Sequence, residues 1–194
     1  MGQSNGVQPA FADPPPELNA GFERWYCEHF DYVWNTLRRL GAATRDVPDL
    51  AHDVFLVAWQ QQATLDQTRS IRPWLFGVAF RVHSAHRRRA WFRLRTYLEP
   101  PEPADPALDP ERRALVDHEL RLVNNALDRV GLPQRAVLLL HDFDQVEMNE
   151  VATALGISRK TAYSRLAAAR ARFRRAYRQL QNLGPTAPSE RAST

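Results

Sequence analysis

Apolar residues recur at steps of three or four along most of the chain, which is the spacing of one face of an α-helix. The first run has its apolar positions at Phe22, Tyr26, Phe30, Val33, Leu37 and Leu40, just before Gly41. Two further runs of the same period predict helices over about 48–62 and 72–95. Three such helices can bury their apolar faces against one another, so we expect a small helical domain over residues 17–95.

The carboxy-terminal half shows the same period in four shorter runs. They predict helices over about 116–130, 133–142, 146–155 and 159–180. Pro133 suits the first turn of a helix, where its missing N–H costs nothing. Because no alternating strand pattern interrupts these runs, the predicted fold class is all-α, with a second helical domain over residues 113–181.

A segment rich in proline and acidic residues separates the two halves. Residues 96–112 contain five prolines interleaved with aspartate and glutamate. This composition is typical of a flexible linker. The ends, 1–16 and 182–194, are predicted to be disordered tails.

Composition narrows the function classes. Of the 194 residues 44% are apolar, which is enough to build a buried core. The pI near 9.7 favours an acidic partner such as nucleic acid. The single cysteine, Cys27, excludes an internal disulfide and fits a reducing cytoplasm. No apolar run approaches the roughly 20 residues that span a bilayer, so we expect no membrane insertion.

The strongest motif covers residues 150–165 and has the spacing of a helix-turn-helix. Gly156 permits a left-handed turn, Ile157 can fill the core between two helices, and Ser158 can cap the second helix. The start of such a helix reaches base edges in the major groove. The candidate duplex contacts are Ser158, Arg159, Lys160, Thr161, Tyr163, Ser164 and Arg165. The alternative is a solvated arginine face on an ordinary bundle helix.

No acidic residue occurs from 156 to 180, so the later arginines of this helix form a stripe suited to backbone phosphates. A second basic region, 81–95, holds six arginines and two histidines beside Trp91 and Phe92. Basic surfaces with exposed aromatic rings bind single strands, because bases stack on the rings. These aromatics could equally belong to a core. His83 and His86 lack the further ligands of a metal site, so no metal is expected.

The second predicted helix has a different chemistry. Asp49 and Asp53 lie one turn apart, with His52 and Leu56 on the same side. A mixed acidic and apolar face in a basic protein suits a docking surface for another protein, although a merely solvated face has the same pattern. A nuclease using these carboxylates with a divalent ion would need a third ligand that is missing. No other catalytic motif occurs, so we expect neither enzyme activity nor a cofactor.

Taken in order, residues 49–59, 72–79 and 87–89 resemble conserved region 2 of bacterial sigma-70 family RNA polymerase sigma factors. Residues 151–166 are similar to region 4 of the same family. Only the short segment 96–112 joins the two, which leaves no room for the intervening domain of housekeeping sigma factors. The chain therefore resembles the extracytoplasmic-function (ECF) subclass, and the resemblance covers roughly residues 17–180.

The resemblance implies a role for each half. Region 2 would bind the β′ clamp helices of core RNA polymerase through Asp49, His52, Asp53 and Phe55. It would also open the promoter and hold unpaired bases of the downstream element, through the loop 63–70 and contacts from Arg72, Trp74, Arg81, His83, Arg87 and Arg88. Region 4 would read the upstream element in duplex DNA while it docks on the β flap. The chemistry would be the polymerase's, so the resemblance also implies no enzyme.

The same resemblance implies an anti-sigma factor as a further partner. It implies a cytoplasmic location, at the nucleoid or held at the membrane by that factor. The chain departs from the family pattern at His52 and Asp53, where Gln and Glu are frequent, and at Arg81, where Asn is frequent. Ala162 and Tyr163 replace a common Val-Lys pair, so the upstream element cannot be transferred from relatives. The alternative function is a conventional helix-turn-helix regulator that binds duplex DNA without core polymerase.

Overall fold

Seven α-helices make up most of the chain that the structure, a computed structural model, describes: residues 16–61, 70–94 and 114–182. The first three are α1 (Pro16–Leu40), α2 (Val47–Gln61) and α3 (Arg72–Leu94). The other four are α4 (Ala114–Asp128), α5 (Leu132–Leu138), α6 (Met148–Leu155) and α7 (Arg159–Asn182). A turn of 3-10 helix, Thr44–Asp46, leads into α2, and a π-helical turn, Leu139–Phe143, continues α5.

The predicted all-α fold class is confirmed, since the described residues contain no strand. The helix α1 begins at Pro16, ahead of the first periodic apolar residue, Phe22. The predicted linker, 96–112, lies outside the described residues. So do the predicted loop 63–70, apart from Ser70, and both tails, apart from Pro16 and Asn182.

The helices α1, α2 and α3 pack pairwise around one core. Val33, Leu37 and Leu40 of α1 are fully buried, as the period predicted. In α3 the buried face is wide, because the adjacent residues Leu75 and Phe76 are both buried. The reason is that α3 packs on two sides, against α1 and α2 on one and against α6 on the other.

The second group of helices is built around α7. The helices α4, α5 and α6 each pack on it, and one residue from each, Leu127, Val137 and Val151, is no more than 1% exposed. Ala162, Leu166 and Ala169 form the buried face of α7. The small residues on this face allow the neighbouring helices to approach closely. The opposite face of α7 is rich in arginine and faces solvent.

The two groups of helices also contact each other, which the linker composition did not predict. Their buried residues form one continuous apolar cluster. Arg135 of α5 is only 6% exposed and bridges the groups: it bonds to the carboxylate of Asp128 at 2.9 Å and to the backbone carbonyl of Arg39 at 3.5 Å. Burial lowers the pKa of the Arg135 guanidinium. The nearby carboxylate of Asp128 raises this pKa and so offsets part of the shift.

Among the helices in the described ranges, none combines the length and the apolar character needed to cross a membrane.

Candidate nucleic-acid interface

The turn between α6 and α7 has the geometry that the sequence predicted. Gly156 adopts φ 64° and ψ 39°, the left-handed conformation that glycine tolerates best. Its N–H donates to the carbonyl of Thr153 at 3.2 Å, and the N–H of Ile157 donates to the carbonyl of Ala152 at 2.9 Å. This pair of bonds is a Schellman motif, which satisfies carbonyls at the end of α6. The turn is therefore a rigid connection that fixes how α7 leaves α6.

Ser158 caps the next helix. Its Oγ accepts a hydrogen bond from the backbone N–H of Thr161 at 3.1 Å and lies 2.8 Å from the Thr161 hydroxyl. The N–H of Ala162 donates to the Ser158 carbonyl and begins the helical ladder. The structure thus gives Ser158 and Thr161, both predicted DNA contacts, a local role in positioning the start of α7.

We expect Ser158→Ala to lower the free energy of unfolding by about 1 kcal/mol, because the capped N–H of Thr161 loses its acceptor. Urea unfolding followed by circular dichroism measures this loss. Thr153→Ala is the matched control: it also removes an exposed hydroxyl, but one that bonds back to the Asn149 carbonyl within α6, so no comparable loss is expected. Equal stability of Ser158→Ala and the wild type would contradict the capping role.

The first turns of α7 present the other predicted base contacts to solvent. Arg159, Lys160, Tyr163 and Ser164 are exposed, and Tyr163 has 53% of its surface accessible. Arg165 is partly buried. The four exposed side chains face solvent at the start of α7, so a major groove can reach them without a rearrangement of the bundle.

Two arginines of the predicted phosphate stripe are engaged within the protein. Arg170 makes a two-pronged contact with the Asp142 carboxylate, at 2.8 Å from Nε and 2.6 Å from Nη2, and this bond raises the pKa of Arg170. Arg172 donates to Gln134 at 2.8 Å. Arg175 and Arg178 are exposed farther along α7. Part of the stripe therefore holds α7 against α5 and against the π-helical turn that follows α5.

The basic surface of α3 carries the predicted contacts for unpaired DNA. Arg87 and Arg88 are exposed, and Trp74 is partly buried. The Arg72 guanidinium lies 5.4 Å from the centre of the Tyr32 ring, in a cation–π contact. Arg81 donates to the backbone carbonyl of Ala154 in α6 at 3.2 Å. Arg72 and Arg81 thus already have partners within the protein.

His83 does not belong to this surface, which corrects the sequence prediction. Its side chain is 2% exposed, and neither ring nitrogen has a hydrogen-bond partner. Burial lowers its pKa to about 4. It is a neutral core histidine that no DNA can reach in this structure. Within the described residues, no group of three or more potential ligands could hold a metal ion.

The α2 face, defined as Asp49, His52, Asp53 and Leu56, is exposed as predicted, and Leu56 has 46% of its surface accessible. Phe55 is different, because it is 4% exposed. Its ring lies 5.9, 4.3 and 6.3 Å from the rings of Trp25, Tyr26 and Phe30 of α1. Phe55 therefore packs α2 against α1 underneath the exposed α2 face. This corrects the predicted role of Phe55 in direct contact with polymerase.

Three residues at the contact between the two groups of helices escaped the sequence prediction. Tyr32 donates a hydrogen bond from its hydroxyl to Asp144 at 2.7 Å. Gly77 lies where α3 approaches the backbone of α6. Gly77 did carry a signal, since an isolated glycine inside a helical pattern marks a packing constraint. Tyr32 and Asp144 carried none.

An exposed start of α7 directly after the turn from α6 is the arrangement of a helix-turn-helix DNA-binding protein. Residues 120–173 match the family model described as Sigma-70, region 4. The chain is 31% identical over 142 residues to the RNA polymerase sigma factor NccH of Alcaligenes xylosoxydans xylosoxydans, covering 70% of this chain and 75% of NccH. It is also 31% identical over 146 residues to the ECF RNA polymerase sigma factor SigL of Mycobacterium tuberculosis, covering 73% and 80% of the two chains. The chain belongs to the ECF subclass of RNA polymerase sigma factors.

Solved structures show the same fold. The sigma factor RpoE of Bartonella quintana, in complex with the anti-sigma factor NepR, superposes with a TM-score of 0.68 at 18% identity, over 81% of this chain and 97% of RpoE. CnrH, in complex with the cytosolic domain of CnrY, gives a TM-score of 0.56 at 23% identity, over 86% of this chain and 90% of CnrH. Because the family model for region 4 matches residues 120–173, α4 to α7 are called region 4 below. The helices α1 to α3 are called region 2, after the resemblance of residues 49–59, 72–79 and 87–89.

Proposed function

We propose that this chain directs core RNA polymerase to specific promoters and helps to open the DNA there. The observation that carries the proposal is the exposed start of α7, with Arg159, Lys160 and Tyr163 open to solvent, in a chain that belongs to the ECF sigma factors. Region 4 reads the upstream promoter element through these side chains while it docks on the β flap. Arg175 and Arg178 lie farther along the same helix, where they suit backbone phosphates.

Region 2 supplies the contact with polymerase in this proposal. The α2 face offers two carboxylates and an apolar side chain, and it binds the β′ clamp helices. Charges at such a contact steer association and fix its orientation, while the accessible Leu56 adds apolar area. Phe55 keeps the face in place through its ring contacts with α1.

The downstream element is held as unpaired bases by the surface of α3. Arg87 and Arg88 offer positive charge to the backbone, and Trp74 can stack on a base. Capturing a base offsets part of the cost of melting the duplex. Polymerase supplies the chemistry, so the chain acts without enzyme activity of its own and without a cofactor.

We further propose that an anti-sigma factor binds this chain, because the solved relative RpoE is a complex with the anti-sigma factor NepR. The protein then works in the cytoplasm at the nucleoid, and an anti-sigma factor anchored in the membrane would hold it at the membrane instead. A pull-down from cell extract with the purified chain, followed by mass spectrometry, would identify this partner. Recovery of core polymerase subunits alone would count against it.

Binding to core polymerase separates the proposal from a conventional regulator. Mixed with purified core polymerase, the protein should co-elute with it in size-exclusion chromatography, while duplex DNA alone is bound weakly. A regulator would elute apart from the core enzyme and bind its duplex site with nanomolar affinity. That second result would overturn the proposal.

Arg159→Ala should reduce transcription from a promoter that this protein recognises by about fivefold or more, because each lost base contact costs about 1–3 kcal/mol. Run-off transcription with core polymerase measures the effect. Arg121→Ala is the matched control, since Arg121 is an exposed arginine of α4 on a different helix of the same region. Equal activity of the Arg159→Ala protein and the control would show that α7 does not read the promoter through this residue.

A further inference from the structure

The last turns of α3 present a tryptophan to solvent. All five tryptophans of the chain lie in the described ranges, and among them only Trp91 is exposed, with 55% of its surface accessible. The other four are partly buried: Trp25, Trp34, Trp59 and Trp74. The sequence alone allows Trp91 either a core or a surface position, and its exposure places the ring on the surface.

Exposed arginines accompany this ring. Arg87 and Arg88 precede Trp91 by one helical turn, so they lie on the same side of α3 as the tryptophan. Both guanidinium groups are on exposed residues, and so is the guanidinium of Arg89 beside them. An arginine side chain can bind a phosphate group with two parallel hydrogen bonds. The end of α3 therefore combines a flat aromatic surface with groups that suit phosphates.

The charge at this end of α3 is positive. No acidic residue occurs from 67 to 98. A carboxylate of the preceding element, Asp46, lies 4.0 Å from Nε2 of His86 and 3.8 Å from Nε of Arg45. His86 is turned away from Trp91 by about 140° around the helix axis, since each residue of an α-helix advances by about 100°. The surface around the ring is therefore cationic and favours a polyanion.

Single-stranded nucleic acid fits this combination better than duplex DNA does. A base of a single strand can stack on the exposed indole ring while the arginines bind the backbone, and such stacking contributes about 1–3 kcal/mol per base. Every base has a flat face, so this contact tolerates any sequence. A duplex offers its phosphates, but its bases stay stacked on one another until they are extruded.

The end of α3 is separate from the contact proposed at its start. Trp74 lies about 25 Å from Trp91 along the helix axis, at about 1.5 Å per residue. Residues 75–79, which lie between them, are all buried, so no ligand reaches the helix there. We propose that the end of α3 is a second site for unpaired nucleotides, in which a base stacks on Trp91 while Arg87 and Arg88 bind the neighbouring phosphates. That these nucleotides belong to promoter DNA rests in addition on the proposed function.

Binding of a labelled single strand to the full chain, without polymerase, tests the site. Trp91→Ala should bind an oligothymidylate of about ten nucleotides at least about fivefold more weakly than the wild type, because one stacked base is lost. Fluorescence anisotropy measures the dissociation constants. Trp91→Phe keeps an aromatic ring and should recover most of the affinity. Leu120→Ala is the matched control, since it removes an apolar side chain of the same exposure, 54%, from α4 and should bind as the wild type does.

A duplex of the same length distinguishes stacking from attraction to the backbone. Trp91→Ala should leave its binding unchanged, because a paired base offers no free face to the ring. Equal affinity of the wild type and Trp91→Ala for the single strand would overturn the site. An equal loss for the single strand and the duplex would show that the ring contacts the backbone and would overturn the stacking.

Tryptophan fluorescence shows which ring the base contacts. A base that stacks on an indole ring quenches its emission, so the oligonucleotide should quench the wild type. Trp91→Phe should bind the oligonucleotide and lose most of this quenching, although the four other tryptophans remain. Quenching that persists in full in Trp91→Phe would place the base on another tryptophan and contradict the proposal.

Transcription tests the use of this site at promoters. With core polymerase, Trp91→Ala should reduce run-off transcription from a duplex promoter by about fivefold, and a template with a pre-melted bubble should restore most of the loss, because melting then costs nothing. A variant that binds the oligonucleotide weakly but transcribes normally from the duplex would refute the promoter role, while the site would stand. If the wild type itself supports no transcription, the proposed function and the promoter role both fail, and the oligonucleotide result is unaffected.

Discussion

Replacing Asp49 and Asp53 together by arginine should reduce transcription to the background of core polymerase alone, a loss of about 100-fold or more. Both residues are exposed on α2, so the fold should survive the change. The variant places two cations where the proposed contact requires two carboxylates, and a repulsive charge at an interface costs several kcal/mol. Size-exclusion chromatography with core polymerase and run-off transcription measure binding and activity on the same preparations.

A pair of single variants controls for the change of charge itself. Asp53→Arg alone is matched by Glu119→Arg, which adds the same charge at an exposed site on α4. The first should weaken the complex with core polymerase and the second should leave it intact. If the double variant of the α2 face still co-elutes with core polymerase and supports transcription, this face is not the docking surface.

The buried histidine of α3 should make the folded protein sensitive to acid. An unfolded chain takes up a proton at His83 as the pH falls through about 6.5, whereas the folded protein resists until the pKa of about 4. Acid therefore favours the unfolded chain, and the cost to stability grows from near pH 6.5 to about 3 kcal/mol at pH 4. Burial is the main cause, and the nearby charges of Arg87, His86 and Arg135 add to it while Asp46 opposes it.

His83→Leu should remove most of this dependence. Urea unfolding at pH 7 and pH 5 should show that the wild type loses about 2 kcal/mol more than the variant between these values. Leucine also replaces two ring nitrogens that have no partner, so it should not destabilise the protein at pH 7. His52→Leu, at an exposed position, is the control and should follow the wild type. Parallel curves for the wild type and His83→Leu would show that this ring is not protonated on unfolding.

Local features of the fold could be predicted from the sequence because their causes are local. The period of the apolar residues placed α7 from Arg159 onward, and Gly156 and Ser158 marked the turn before it, since a left-handed residue and a capping hydroxyl act within a few positions of themselves. The exposed α2 face followed from the same reasoning. Its acidic residues lie one turn apart, and the structure leaves them on the solvent side.

The errors came from contacts between helices. A pattern along one helix does not show which neighbouring helix covers a given side. The sequence therefore predicts surface roles for Phe55 and His83, although the structure buries both side chains. The approach of region 4 to region 2 was missed for the same reason. It rests on a glycine in α3 and on a hydrogen bond between Tyr32 and Asp144, residues that are 112 positions apart.

We propose that this chain gives core RNA polymerase its choice of promoter. Transcription in vitro from fragments of the source genome, with purified core polymerase and with or without the protein, measures this choice when the transcript starts are mapped. We predict a set of start sites that depends on the protein and shares one upstream element. If no start site rises above the background of core polymerase alone, this chain does not choose promoters for the polymerase.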